Sequence, residues 1–406
     1  MKSPNISVYY SIIDPYPAYR VDLSELVAKS LSTLHVDTAW FMAADSVDPR
    51  AGRRDYFSQA CQVPRRYAGG ALARLGSRLA YWLTDAGHML RAAGGRYDVL
   101  QTRDKYLVSL LALAAARLSG KRFVYWCSYP FPEHALELAR ERGGLKGALL
   151  ALKGRLAMFT LYRVVMRHAD HNFVQSEQML RDLAAYGIAV DRMTPVPMGV
   201  PQRLLDWAAA RAVPVVPGRV VYLGTMASVR RLHVLIEAFA LLRRRCPQAT
   251  LLMVGDGDFP HEREALQRQV AELGLAEAVR FTGQVPIEEA WALSSSAAVC
   301  VSPFFPTKVL ASTSPTKLVE YMAMGRPVVC NDHPEQSAII RDSGAGLCVA
   351  WGAEQFADAL AWMLEHPQQA EAMGAKGPDW VAATRTYPII AATVSRQYQL
   401  LLGRGG

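Results

Sequence analysis

Two cationic clusters, each at the head of a helical stretch, are the residues of this chain best suited to chemistry. In SPTKLVEYMAMGRPVV (314–329), Lys317 and Glu320 stand three apart, which puts them on one helix face. Ser314 suits an N-cap, Pro315 the first helical position and Gly325 the residue past the end, so the spacing predicts a helix of about three turns. AAVCVSP (297–303) reads as the strand before it, so the helix head should lie at a strand's carboxyl end with free N–H groups. Such a head attracts phosphate, and Lys317 adds a full positive charge. Glu320, one turn on, could accept both hydroxyls of a ribose.

The second cluster lies in GTMASVRRLHVLIEAFALL (224–242), where Gly224 closes a strand and Arg230 and Arg231 precede an amphipathic helix. A glycine lets backbone approach a ligand closely, and guanidinium groups suit a diphosphate through bidentate bonds. Taken alone, Lys317 and Glu320 would be a surface pair contributing about 0.2–0.5 kcal/mol, and the arginines would be solvated. Together, each at the end of a strand, they predict one anion site.

Positioning such groups takes a sheet. Short β-rich runs alternate with helical stretches along the whole chain: ISVYYSI (6–12), VDTAWF (36–41), DVLQT (98–102), FVYWCS (123–128), HNFVQS (171–176) and TPVPM (194–198) in the first half. RVVYLG (219–224), ATLLMVGDG (249–257), VRFTG (279–283), AAVCVSP (297–303), PVVCN (327–331) and GLCVA (346–350) follow in the second. Apolar strands separated by helices mean parallel sheets with crossover helices, and there are too many for one ordinary sheet. The expected fold is therefore α/β, with two doubly wound Rossmann-like domains facing across a cleft. The first spans 1–200, a proline-rich linker 201–218, and the second 219–385, with a final helix at about 386–403 returning to the first domain. Ligands in such sheets bind beyond the carboxyl ends of the strands.

Composition narrows the class. The chain has 406 residues, enough for two domains, and 51% are hydrophobic, enough for large cores. Its six cysteines form no CxxC pair, which points to a reducing compartment rather than a disulfide framework or structural zinc. MKSPNISVYYSI lacks the apolar core of a signal peptide, and LVSLLALAAA (107–116) falls short of the roughly 20 residues of a membrane span. The expected location is cytoplasmic, at most peripheral on the inner face of the cytoplasmic membrane. The charge is lopsided: residues 1–200 hold 26 Lys and Arg against 17 Asp and Glu, whereas 201–406 hold 19 of each. An anionic partner for the first half follows. Without a nucleic-acid motif, an anionic membrane surface fits better, met by the basic amphipathic stretches 69–96 and 139–171. No GxGxxG follows the first strand, which disfavours a nicotinamide dehydrogenase.

The ordered blocks GTMASVRRLHVLIEAF, LLMVGDGD, FTGQVP and SPTKLVEYMAMGRPVV resemble the donor domain of family 4 retaining glycosyltransferases of the GT-B fold, of the bacterial polysaccharide-biosynthesis type, strongly over about residues 219–365. The first half resembles that family loosely, through ADHNFVQSEQMLRDLAAYGI (169–188) and VPMGV (196–200). The resemblance implies transfer of a sugar from a nucleotide-diphosphate donor, a UDP- or GDP-sugar, to a saccharide acceptor, lipid-linked in surface polysaccharide or glycolipid synthesis. It implies that Arg230 and Lys317 stabilise the departing diphosphate as the catalytic groups, and that Glu320 binds the ribose. Gly224, Thr225, Arg231, Gly255, Ser314, Pro315, Thr316, Leu318 and Val319 would line the donor site, with Gln284 and Val285 bordering the base. The sequence departs from the pattern at Ser312, where the family has a glutamate, and at Thr225, where an arginine is usual. DPYPAYR (14–20) replaces a Gly-Gly turn, and Trp126 and Ser128 stand where the family commonly has a histidine.

Asp256 and Asp258 read as turn caps rather than a metal-binding pair, so no metal and no further cofactor is expected. On the acceptor side the candidates are Tyr19, Arg20, Asp104, Ser128 and His134. Two rivals stay open: a sugar-nucleotide epimerase on the same fold, which would need acid and base carboxylates, and a degenerate scaffold that only binds nucleotide sugar.

Overall fold

In a computed structural model, residues 5–45 and 49–404 are described. The chain divides into two compact units, one formed by the chain up to Pro197 and from Tyr387 onward, the other by Met198–Thr386. Each is a doubly wound α/β layer, the fold class expected from the alternating pattern.

The first unit is built on eight strands: β1 (Ile6–Pro15), β2 (Val36–Ala43), β3 (Gly52–Tyr56), β4 (Gln59–Val63), β5 (Val99–Arg103), β6 (Arg122–Cys127), β7 (His171–Val174) and β8 (Met193–Pro195). Their order is β3-β4-β2-β1-β5-β6-β7-β8, parallel throughout except for the β3–β4 hairpin. Successive residues of β1 face opposite cores, Val8 and Tyr10 to one side and Tyr9 to the other. A parallel sheet covered on both faces needs that alternation to be apolar both ways. The helix Tyr387–Leu401 packs in this unit, with the Tyr398 hydroxyl donating to Gln101 Oε1 at 2.6 Å.

The hairpin of β3 and β4 was not among the expected strands. Its exposed Arg53 and Asp55 alternate with half-buried Gly52 and Arg54 and buried Tyr56, as an edge with one wet face allows. Phe57 and Ser58 turn it with φ of 51° and 63°, where glycine or asparagine usually marks such a turn.

The second unit holds β9 (Arg219–Leu223), β10 (Thr250–Val254), β11 (Val279–Phe281), β12 (Val299–Ser302), β13 (Val328–Asn331) and β14 (Gly346–Val349). The order β11-β10-β9-β12-β13-β14 is wholly parallel. From β9 the chain winds outward one way, then returns to lay β12 on its other side. The carboxyl ends of β9 and β12 thus form the switch point where such sheets open a binding crevice.

The expected linker is corrected. Gln202–Ala209 is a helix whose Leu204 and Trp207 are buried in the second unit, and the Trp207 ring lies 5.7 Å from that of Trp291. The prolines that suggested a connector flank this helix. Among the described residues no helix is long and apolar enough to cross a membrane.

Candidate functional site

The site grows from the carboxyl rim of the second sheet. Gly224, Gly255 and Gly283 follow β9, β10 and β11, with φ of 134°, 119° and 70°. Gly224 N–H donates to Val254 O at 2.8 Å and Gly255 N–H to Gly283 O at 3.2 Å, so the three strand ends are tied together. A Cβ on Gly224 would collide with Lys317 Cε, and one on Gly255 with the Gly224 carbonyl. The lysine therefore lies across bare backbone.

Lys317 belongs to the helix Thr316–Ala323, which follows β12. It is 7% exposed, and its ammonium sits 4.9 Å from the Tyr222 ring centre and 5.5 Å from that of Phe304. Arg230 approaches the same Phe304 ring at 4.9 Å, and its buried Nη1 has no hydrogen-bond partner. Two cations thus share one aromatic ring, and among the described residues no carboxylate pairs with either. Burial, with Arg230 acting in the same sense and Glu320 against, pulls the Lys317 ammonium well below its usual range. Glu320 is half-buried; burial, opposed by Lys317, raises its carboxyl to about 7.

The arginine loop is held by a residue the sequence reading missed. Glu262 accepts from Ser228 N–H at 2.7 Å, Ser228 Oγ at 2.9 Å and Phe259 N–H at 3.1 Å. Burial pushes its carboxyl up, but these bonds outweigh it and hold it below the ordinary value. Its signal was available: a glutamate three residues past Phe259, at the start of the helix Pro260–Glu272. Arg231 adopts φ 53° and stacks on Phe305 at 5.4 Å.

Ser314 is not the N-cap expected. The cap position falls to Pro315, which offers no side-chain acceptor. The Ser314 hydroxyl accepts from Met198 N–H at 2.8 Å and donates to Glu335 Oε1 at 2.9 Å. Glu335 also takes Arg385 at 2.7 Å, so this glutamate is a hub. The helix has eight residues rather than three turns, and Gly325 follows its end at φ 68° as expected. Its first amides are left without a side-chain cap. Beside it His333 Nε2 donates to Leu310 O, 2.8 Å away, and burial, opposed by that bond, lowers it to about 4.

The remaining donor-side candidates separate. Leu318 and Val319 are buried in the core, so only their backbone can face a ligand. Thr316 is half-buried, Thr225 and Gln284 are exposed, and Val285 packs against the same core. Asp256 takes Arg263 at 2.5 Å and Gly257 N–H at 2.8 Å. Ser312 is buried, its hydroxyl on Lys308 O at 3.3 Å.

In the first unit, four of the five acceptor-side candidates cluster around residues that were not singled out. Arg103 is fully buried and pairs with Asp22 at 2.5 Å and Asp104 at 3.5 Å; Arg20 joins through Asp22 at 3.2 Å. Asp104, at φ 56°, accepts from Ser128 N–H at 2.9 Å and from its hydroxyl. Burial, opposed by Arg103 and Ser128, raises its carboxyl. Asp104, buried Lys105 and His134 line a recess of about 380 Å³ with Tyr81, Trp82 and Phe131. Lys105 is held by Asp85 at 2.6 Å and Ser11 at 2.7 Å. Tyr19 is 85% exposed and joins none of these groups.

Comparison with known proteins agrees with this geometry. The family "Glycosyl transferases group 1" matches residues 217–366, and "Glycosyl transferase 4-like domain" matches 25–199. A GDP-mannose-dependent alpha-(1-6)-phosphatidylinositol monomannoside mannosyltransferase of Mycolicibacterium smegmatis is 30% identical over 197 residues, 48% of this chain and 50% of that protein. A D-inositol 3-phosphate glycosyltransferase of Nocardia farcinica is 31% identical over 223 residues, 52% of this chain and 48% of the other. The chain spans about half the length of the curated relatives it matches. Anabaena Alr3699/HepE in complex with UDP and glucose shares the fold, with TM-score 0.69 over 98% of this chain and 100% of that one at 15% identity. With one family match on each half and a common fold over almost its full length, the chain belongs to the family 4 GT-B glycosyltransferases.

Proposed function

We propose that the protein moves a sugar, with retention, from a nucleotide-diphosphate donor to a saccharide carried on a lipid. The observation that carries this is the pair Lys317 and Arg230, two cations on one ring at the sheet's switch point with, among the described residues, no carboxylate in an ion pair with either. Cations removed from water without a partner are costly, and a bound diphosphate would neutralise both.

When the bond from sugar to phosphate breaks, charge gathers on the departing diphosphate. Lys317, Arg230 and the uncapped amides at 316–318 are set to stabilise it, and one such donor contributes on the order of 3 kcal/mol. Glu320 would take the ribose hydroxyls. The smegmatis relative is named for GDP-mannose and HepE was solved with UDP, so both bases are candidates.

For the acceptor, two hollows of the first unit share Tyr81 and Trp82. One is the apolar recess; the other, about 580 Å³, is lined by Arg65, Arg66, Arg74 and Arg78. Among the described residues these arginines pair with no carboxylate. An anionic headgroup beside an apolar chain suits that combination. The helices Ala71–Gly94 and Gly144–Met158 also expose leucines, at 72, 75, 79 and 83 and at 145, 149, 152 and 156. With Arg74, Arg78, Lys146 and Lys153 nearby, they would rest on an anionic membrane.

Titration calorimetry with UDP, GDP and ADP, followed by donor hydrolysis and transfer assays, tests the reading. One nucleotide should bind, and Lys317→Ala and Arg230→Ala should lose both binding and hydrolysis. Buried Ser312, in place of a carboxylate, favours a second reading, a scaffold that binds nucleotide sugar without turnover. Binding with no hydrolysis or transfer would select it.

A further inference from the structure

Cys330 on β13 and Cys348 on β14 are register partners, the middle of a ladder that also pairs Val329 with Leu347 and Asn331 with Val349. Partners on adjacent parallel strands project from the same face with Cα atoms about 4.8 Å apart, within the 4.4–6.8 Å a disulfide spans. The two thiols differ sharply. Cys330 is buried; Cys348 is the exposed one of the six cysteines. The Cys348 sulfur stands beside its register partner Cys330 and lies 3.3 Å from Ser337 Oγ on the helix Pro334–Ser343.

The neighbouring Cys330 thiol lowers the Cys348 thiol, against burial and with help from Ser337, to about 7. The other thiols with a resolved shift, Cys61, Cys127, Cys246, Cys300 and Cys330, are all raised, chiefly by burial except that Cys330 is raised first by the adjacent Cys348 thiol. Accessible thiolate therefore concentrates at one sulfur with a second thiol beside it, the arrangement of a redox-sensing pair.

We propose that Cys348 is an oxidation site, with Cys330 as its resolving partner. With a peroxide as oxidant, the Cys348 sulfur attacks one peroxide oxygen, the O–O bond breaks, and sulfenic acid and water form. The Cys330 sulfur then displaces the sulfenic hydroxyl, which leaves with the Cys330 proton as a second water. Two thiols lose two electrons, the peroxide gains them, and a dithiol reductant reverses the change.

The pair also touches the donor site. Asn331, next to Cys330, accepts from Phe304 N–H at 2.7 Å and donates to Phe304 O at 2.9 Å. Phe304 is the ring under Arg230 and Lys317, so a strain at the end of β13 reaches both cations. This effect on nucleotide binding rests on the donor-site reading; the thiol chemistry does not.

The test treats the whole protein with a small excess of hydrogen peroxide. Of six thiols, two should disappear, with a mass loss of about 2 Da and a cross-link joining the peptides of 330 and 348. Cys330→Ala should stop at a Cys348 sulfenic acid that dimedone traps. Cys348→Ser, at an exposed position, should keep its thiols through the same exposure. Oxidation first at another cysteine, equal dimedone labelling with and without Cys330, or only intermolecular disulfides would overturn the proposal. Nucleotide affinity of the oxidised protein should fall several-fold, and recover with dithiothreitol. Cross-linking with unchanged affinity would refute the coupling, whereas absent nucleotide binding in the reduced protein would refute the donor reading alone.

Discussion

Both sheets bury cations at the carboxyl ends of their strands, and they treat them oppositely. In the first unit Arg103 ends β5 against Asp22, and Lys105 sits two residues on against Asp85. In the second, Lys317 and Arg230 face aromatic rings and each other's field. The first arrangement is neutral before anything binds; on the proposed reading, the second would be completed by an anion from outside. Where the counter-anion comes from decides whether a buried cation stabilises a fold or waits for a ligand.

The largest expected effect breaks the self-neutralised side. Asp85→Ala leaves Lys105 buried and unpaired, and the protein should lose about 3–5 kcal/mol in urea unfolding. If stability barely changes, the contrast between the two rims is wrong. Next comes Lys317→Met, which should lower the transfer rate by a factor on the order of 10² or more. The same change should leave the ligand-free melting temperature equal or higher, because an unmatched buried charge goes. A fall in melting temperature would mean that Lys317 has a structural partner.

Glu262→Gln is a subtler test of the arginine loop. It weakens the acceptor of Ser228 and Phe259 without touching a cation, so nucleotide affinity should fall by about tenfold through Arg230 misplacement. The smallest effect concerns Glu320, raised to about 7 from an ordinary 4.5. Between those values the folded state holds a proton the unfolded state has lost. Stability from this group is therefore present below about 4.5 and is lost as pH rises through about 7. Glu320→Gln removes that dependence, so its melting temperature should gain on the parent's between pH 5 and 8, read by calorimetry at about half-unit steps.

The strands of the second unit were legible because buried parallel strands read as unbroken apolar runs, and Gly224 directly follows one of them. Ser314 misled because capping preference is local, while its partners Met198 and Glu335 lie 116 and 21 residues away. The first unit's network was hidden for the same reason: Asp22 and Arg103 are separated by 81 residues, and nothing near either announces the other. Phe304, on whose ring two cations meet, was not singled out in the sequence. The β3–β4 hairpin lacked both an apolar run and a turn residue that favours positive φ.

The chain enters and leaves the second unit side by side. Val200 N–H donates to Arg385 O at 2.8 Å, and Val200 bridges Thr386 in parallel. Topologically, residues 198–386 are an insertion whose two ends are neighbours. Such a piece can be excised and expressed alone, or its ends joined and reopened at a surface loop, with little loss of chain entropy to closure. The nucleotide-binding half of this protein should therefore be a portable module, fit for crystallisation or permutation apart from the rest.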